Sequence, residues 1–168
     1  MEPRIEIVNI VATLKLDPMP DPSEILEKIP GTRPLRRFRG ALLRIGRIPV
    51  LFYKNKIVIT GVKSTEELNS AVERLIEILR KRGVNANIIN REIVNITAKL
   101  ELGVNVDLRE IAERLKGIYD PDYRPYMIAK INNTRVIVSQ NGKIVLLGAR
   151  NMEEVSSSIN SVVKEIMQ

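Results

Sequence analysis

Basic side chains are segregated along this chain. Between Arg33 and Thr65 stand nine of them (Arg33, Arg36, Arg37, Arg39, Arg44, Arg47, Lys54, Lys56 and Lys63) and no acid. Between Tyr123 and Met152 stand five more (Arg124, Lys130, Arg135, Lys143 and Arg150), again with no acid. The carboxylates gather instead in segments of helical periodicity. Cations kept apart from carboxylates suit phosphate, and the net charge of +7 agrees with a polyanionic partner. The ordinary alternative is a solvated basic rim; two clusters at equivalent places in a duplicated chain favour phosphate. Histidine and cysteine are absent, which removes the usual general base, the commonest metal ligand and any thiolate. No carboxylate cluster, glycine-rich phosphate loop or metal-ligand spacing takes their place. Binding, without catalysis or a cofactor, is the chemistry these residues offer.

The elements that must position them occur twice. Lys56-Ile57-Val58-Ile59-Thr60-Gly61 returns as Lys143-Ile144-Val145-Leu146-Leu147-Gly148, each a strand pattern that begins at a Lys and stops at a Gly. Ile7-Val8-Asn9-Ile10-Val11-Ala12 returns as Ile93-Val94-Asn95-Ile96-Thr97-Ala98 at nearly the same displacement. Two landmarks in one register mark a tandem duplication, with halves 1–83 and 84–168 that share one core. Hydrophobic content of 44% with 28% charged residues is globular. No apolar run approaches 20 residues and no signal peptide precedes the fold, so the protein is expected to remain inside the cell.

Each half reads as strand, short helix, strands, long helix. Residues 4–16 and 91–102 are long alternating strands, the first apolar on both faces. The short helices run from Ser23 to about Ile29, ended by Pro30-Gly31, and from Asp107 to Gly117. Meanders follow at 40–45, 48–54 and 56–61, with Lys54-Asn55 a tight-hairpin signal, and at 126–132, 134–140 and 143–148. Ser64 with Glu67 caps one long helix, which buries Leu68, Val72, Leu75, Ile76 and Leu79 and ends at Gly83. Asn151 with Glu154 opens the other, which buries Val155, Ile159, Val162, Val163 and Ile166. Antiparallel strands with helices on one side make a layered α+β fold whose other sheet face is free to bind.

At these residues the sequence resembles the TATA-box-binding protein family, over essentially its whole length. The duplicated Ile-Val-Asn-Ile strand, Arg37-Phe38 followed by Leu42-Leu43-Arg44-Ile45, the Lys-Ile-Val strand ending at Gly, and Tyr119-Asp120-Pro121-Asp122 carry the likeness. The resemblance implies a tandem-repeat saddle, a curved ten-stranded antiparallel sheet with helices on the convex face and the DNA minor groove beneath. An A·T-rich minor groove shows acceptors and lacks the guanine amino group, so a surface of small apolar and donor side chains prefers it.

By resemblance the first-half DNA-binding residues are Asn9, Val11, Arg37, Phe38, Arg44, Val50, Phe52, Lys56, Val58 and Thr60. Those of the second half are Asn95, Thr97, Arg124, Lys130, Ile137, Ser139, Lys143, Val145 and Leu147. Asn9 and Asn95 would donate to adenine N3 or thymine O2 near a pseudo-twofold axis; the alternative is that they bulge or end a strand. Phe38 and Phe52, the only phenylalanines, match the first pair of wedges that unstack base steps; the alternative is a pair of core aromatics. The second pair falls on Arg124 and Ser139, neither a hydrophobic wedge, with Tyr123 adjacent as a substitute. The first half is thus expected to be fully equipped and the second partly dismantled, with weaker bending at its end. Asp120 and Asp122 match positions that contact the B-type initiation factor; the alternative is ordinary surface charge.

The implied function is a general transcription initiation factor of archaeal type. It would bind A/T-rich, TATA-type promoter DNA, recruit the B-type factor to the RNA polymerase pre-initiation complex, and act in the cytoplasm at the nucleoid. The alternative is a diverged paralogue that regulates through protein contacts with reduced TATA preference.

Overall fold

Apolar residues recur at every second position in the strand segments and at every third or fourth in the helical ones. The structure, a computed structural model describing residues 3–168, follows that division. In chain order the elements are β1 (Glu6–Asp17), α1 (Pro22–Lys28), β2 (Arg33–Pro34), β3 (Ala41–Ile45), β4 (Ile48–Phe52), β5 (Ile57–Val62) and α2 (Thr65–Lys81). Then come β6 (Asn87–Glu101), α3 (Leu108–Leu115), β7 (Tyr126–Ile131), β8 (Thr134–Ser139), β9 (Lys143–Ala149) and α4 (Met152–Ile166). They form two compact units, one of Asn9–Val94 and one of Asn95–Gln168 with the described residues up to Val8. These are called below the first-repeat and second-repeat units.

In the first-repeat unit the strands lie in the order β2-β3-β4-β5-β1, all antiparallel. Helix α1 packs on β3, and α2 on β3 and β5. Leu14, Phe52, Ile57 and Ile59 from the strands, Ile25 of α1 and Leu68 and Leu75 of α2 are all fully buried. In the second-repeat unit the order is β6-β9-β8-β7, again antiparallel. Helix α3 packs on β7 and α4 on β8 and β9. Ala98, Met127, Val136, Ile144 and Leu146 are buried there against Val155, Ile159 and Val162. Each fully buried aliphatic side chain contributes about 1.5–3 kcal/mol. The helices cover one face of each sheet, and alternate strand residues, half-buried, form the other.

The helix starts follow the sequence. Ser64 Oγ accepts from Glu67 N at 3.0 Å, and Glu67 Oε2 accepts from Lys63 N at 3.0 Å. Asn151 Oδ1 accepts from Glu154 N at 2.8 Å, and Glu154 Oε2 from Arg150 N at 2.8 Å. In both boxes the carboxylate reaches one residue beyond the cap and takes the N–H of the residue that precedes it. Ile76, Val163 and Ile166 lie half-buried at the margins of their stripes.

One expectation of the fold changes. The described residues form nine strands where ten were expected. At the place in the second repeat that β2 holds in the first, Ile118 makes only an isolated bridge to Ile128. The chain turns away at once: Asp120 Oδ1 accepts from Asp122 N at 3.2 Å, and Pro121 has no N–H to offer a ladder. Helix α3 stops just before Gly117 as expected, with Lys116 at its end in the left-handed conformation, at φ 54°. Gly117 is required there by close packing, since a Cβ would stand 2.6 Å from Met127 Sδ and 2.7 Å from the Ile128 carbonyl.

Candidate nucleic-acid interface

The helix-free face of each unit is shaped by a β-bulge. On β1 the pairing runs from Ile10↔Val62 to Ala12↔Ile59, so β5 carries one extra residue at Thr60-Gly61. On β6 it runs from Ile96↔Ala149 to Ala98↔Leu146, with the extra residue at Leu147-Gly148. Gly61 and Gly148 hold φ of 81° and 90°, which the bulge requires and side-chain-bearing residues avoid. A bulge leaves an N–H without its ladder partner, and here an asparagine takes it. Asn9 Oδ1 accepts from Gly61 N at 2.7 Å and Asn95 Oδ1 from Gly148 N at 2.8 Å. Each such bond is worth about 0.5–1.5 kcal/mol.

Bulge-making and donation are therefore compatible. With Oδ1 committed to the glycine, each carboxamide is fixed with its NH2 group at the other end. Asn9 Nδ2 donates to Thr60 Oγ1 at 3.3 Å, leaving one hydrogen. At the equivalent place Leu147 has no acceptor to offer Asn95.

The first-repeat face corrects two expected residues. Val50 and Phe52 are wholly buried on the helix-covered side. The cause is the hairpin between β4 and β5. Tyr53 N donates to the Lys56 carbonyl at 2.9 Å, closing a two-residue loop of Lys54 and Asn55. That loop pairs Phe52 with Ile57 and Leu51 with Val58, so the side chain sharing a face with Val58 is Leu51. Directly paired residues point the same way, and a slip of one position inverts every side chain. The face includes Asn9, Val11, Thr13, Leu42, Pro49, Leu51, Val58 and Thr60, with Arg44 exposed at its margin. Leu42, Pro49 and Leu51 went unread in the sequence, although the tight-hairpin signal at Lys54-Asn55 contained the information. Pro49 carries no N–H, and its ring lies 3.4 Å from where a Cβ on bulge residue Gly61 would stand.

The second-repeat face keeps its expected register. Gly142 N donates to the Ser139 carbonyl at 3.0 Å, and Gly142, at φ 84°, adds one residue to the β8–β9 turn. Ile137 thereby pairs with Val145 and both lie on the open face, with Asn95, Thr97, Leu147 and Ser139. Lys130 is exposed there, and Lys143 is half-exposed at the strand start. Arg135, absent from the expected set, pairs with Lys130 and with Leu147 on this same face.

One aromatic side chain stands free near the β3 or β7 end of each unit. Phe38, before β3, is 68% exposed, and Tyr123, before β7, is 83% exposed. Phe52 is not a second free aromatic, so the first repeat is not the fully equipped half. Ser139, paired with Tyr126, offers no wedge, and Arg124 is exposed beside Tyr123. Asp120 builds the turn that presents them: its carbonyl accepts from Tyr123 N at 3.1 Å and Arg124 N at 3.0 Å. Asp122 is exposed on the same turn, and Arg37 and Lys56 are exposed near Phe38 and the β4–β5 hairpin.

The charge pattern persists in three dimensions. Salt bridges among the described residues join Lys28–Glu24, Lys81–Glu77, Lys99–Glu6 and Arg114–Glu110. None uses a basic residue of either acid-free stretch. Asp21, the cap of α1, is held below the usual carboxylate range by hydrogen bonds from the Ser23 hydroxyl and N–H, helped by Arg39 and Lys54 nearby. Among the described residues no group of His, Cys, Asp and Glu is placed to hold a metal, and no helix is long and apolar enough to cross a membrane.

Comparison with known proteins places this geometry. The profile of the family described as "Transcription factor TFIID (or TATA-binding protein, TBP)" matches residues 4–82 and again 90–168. The TATA-box-binding protein of Pyrodictium occultum is 33% identical over 98% of this chain and 87% of its own length. That of Methanocaldococcus jannaschii is 28% identical, covering 100% of this chain and 96% of its own. The solved structure titled Methanococcus jannaschii TBP superposes with a TM-score of 0.84 over 98% of both chains at 23% identity, which shows the same α+β fold. The chain belongs to the TATA-binding protein family of transcription factors and is not an enzyme.

Proposed function

We propose that this chain is a general transcription initiation factor that binds A/T-rich, TATA-type promoter DNA in the minor groove. The observation that carries this reading is the helix-free face of each unit, where small apolar side chains surround an asparagine whose NH2 end is left to donate. An A·T-rich minor groove offers acceptors and no guanine amino group to obstruct such a surface. Basic residues without internal acid partners surround it and suit the flanking phosphates. Phe38 and Tyr123 are the aromatic wedges in this reading, one for each repeat, and kink the duplex by entering base steps.

Asp122, exposed on the turn before β7, is the better candidate for contact with the B-type initiation factor, since Asp120 is occupied in building that turn. Through that factor the protein would join the RNA polymerase pre-initiation complex at the nucleoid.

The test is binding to a TATA-type duplex and to a scrambled G·C-rich duplex at several salt concentrations, with a bend-sensitive fluorescence pair on the DNA. The expected result is A/T preference with bending, reduced by Phe38→Ala and separately by Tyr123→Ala. A diverged paralogue that regulates through protein contacts is the second reading, favoured by Ser139 and Arg124 at wedge positions. Equal, steeply salt-dependent binding to both duplexes would establish it over the first.

A further inference from the structure

The open face of the second-repeat unit contains a groove of about 800 Å³, at whose lining four cations stand: Lys116, Arg124, Lys130 and Arg135. No carboxylate lines it, and none of the four enters a salt bridge among the described residues. Two features of the groove oppose folding. Lys130 and Arg135 are directly paired across β7 and β8, and like charges at opposed positions of an antiparallel pair repel. In the first repeat the corresponding pair is Arg44 and Pro49, with a single charge. Lys116 holds φ 54° at the end of α3, a conformation that glycine adopts freely and lysine does not. Local strain of this kind is retained where the side chain has a use.

We infer that this groove seats the sugar–phosphate backbone of the bound duplex, with Lys116 and Arg135 as phosphate contacts beside Arg124 and Lys130. The inference rests on the DNA-binding reading above and extends it to residues outside the family-matched set. An anion between Lys130 and Arg135 turns their repulsion into two attractions. Fixed positive charge thus holds the second-repeat end of the duplex, where Ser139 supplies no apolar wedge.

Lys116→Gly and Arg135→Thr test this without loss of the fold, because each removes a strained or repelling group. Both variants are expected to melt at or above the parent temperature. Each is also expected to lower the slope of log affinity against log salt by about 0.9, and the double variant by about twice that. Lys164→Ala, on the last turn of α4, serves as the control with an unchanged slope. Parent-like slopes in folded Lys116→Gly and Arg135→Thr would overturn the groove while leaving DNA binding by the parent intact. Failure of the parent to bind either duplex at low salt would overturn both readings together.

Discussion

The hairpins β4–β5 and β8–β9 occupy the same place in two copies of one design, and they differ by a single residue. In the first, Lys54 and Asn55 alone make the turn, and Leu51 faces Val58. In the second, Gly142 lengthens it, and Ile137 faces Val145. One residue in a loop thus decides whether Phe52 lies against the helices or is presented to a partner. Sheet registers have no intermediate settings, because side chains alternate with a strict period of two. A turn of different length between matched strands therefore replaces one whole set of exposed side chains by the other.

The comparison is most directly broken at Phe52. Phe52→Ala removes a wholly buried ring and is expected to cost about 3–5 kcal/mol in denaturant unfolding. Phe38→Ala, on an exposed ring, should change stability by no more than about 0.5 kcal/mol while reducing DNA bending. If the two variants unfolded alike and Phe52→Ala chiefly reduced bending, the short-loop register would be wrong. Gly142→Ala comes next. It forces a side chain into φ 84° with its Cβ 2.6 Å from the Val104 carbonyl, and should lose about 1–3 kcal/mol. Asn55→Gly, its counterpart, should stay near the parent, because Asn55 needs no left-handed conformation.

Smaller effects sharpen the likeness of the two copies rather than their difference. Asn9→Ala and Asn95→Ala each unpin a bulge and should each cost about 1 kcal/mol. Asn9→Ala is expected to cost the more, because it also loses the bond to Thr60; equal losses would mean that this bond contributes nothing. The least effect belongs to the α1 cap. The folded pKa of Asp21 lies below its ordinary value of 3.8. Its contribution to stability is therefore complete above that value and is lost as pH falls through the lowered one. Asp21→Asn, which still caps, should remove this part of the acid-side decline in a titration of thermal stability.

Local features were legible in the sequence wherever one segment decides the outcome. Ser64 with Glu67 and Asn151 with Glu154 are caps because the acceptor and its N–H lie three residues apart in one stretch. Val58 and Thr60 share a face because a single strand fixes them. Val50 and Phe52 also share a face with each other, yet which face depends on a turn in another part of the meander. The task given to Asn9 depends on Gly61 in β5, across a pairing that no local pattern announces. At the end of α3 the stop at Gly117 is legible, whereas its close approach to Met127 and the left-handed turn at Lys116 depend on β7, far away in the sequence. Arg135 looked like one cation in a run until pairing set it opposite Lys130.

The twin bulges also have a history. Asparagine, positive-φ glycine and a two-against-three count in the ladder recur at both sites. The single-copy ancestor therefore already bent its long strand pair in this way. The hairpins that follow are unlike and diverged after the gene doubled. A chain rebuilt by repeating either half would keep both bends and lose the contrast between its two faces.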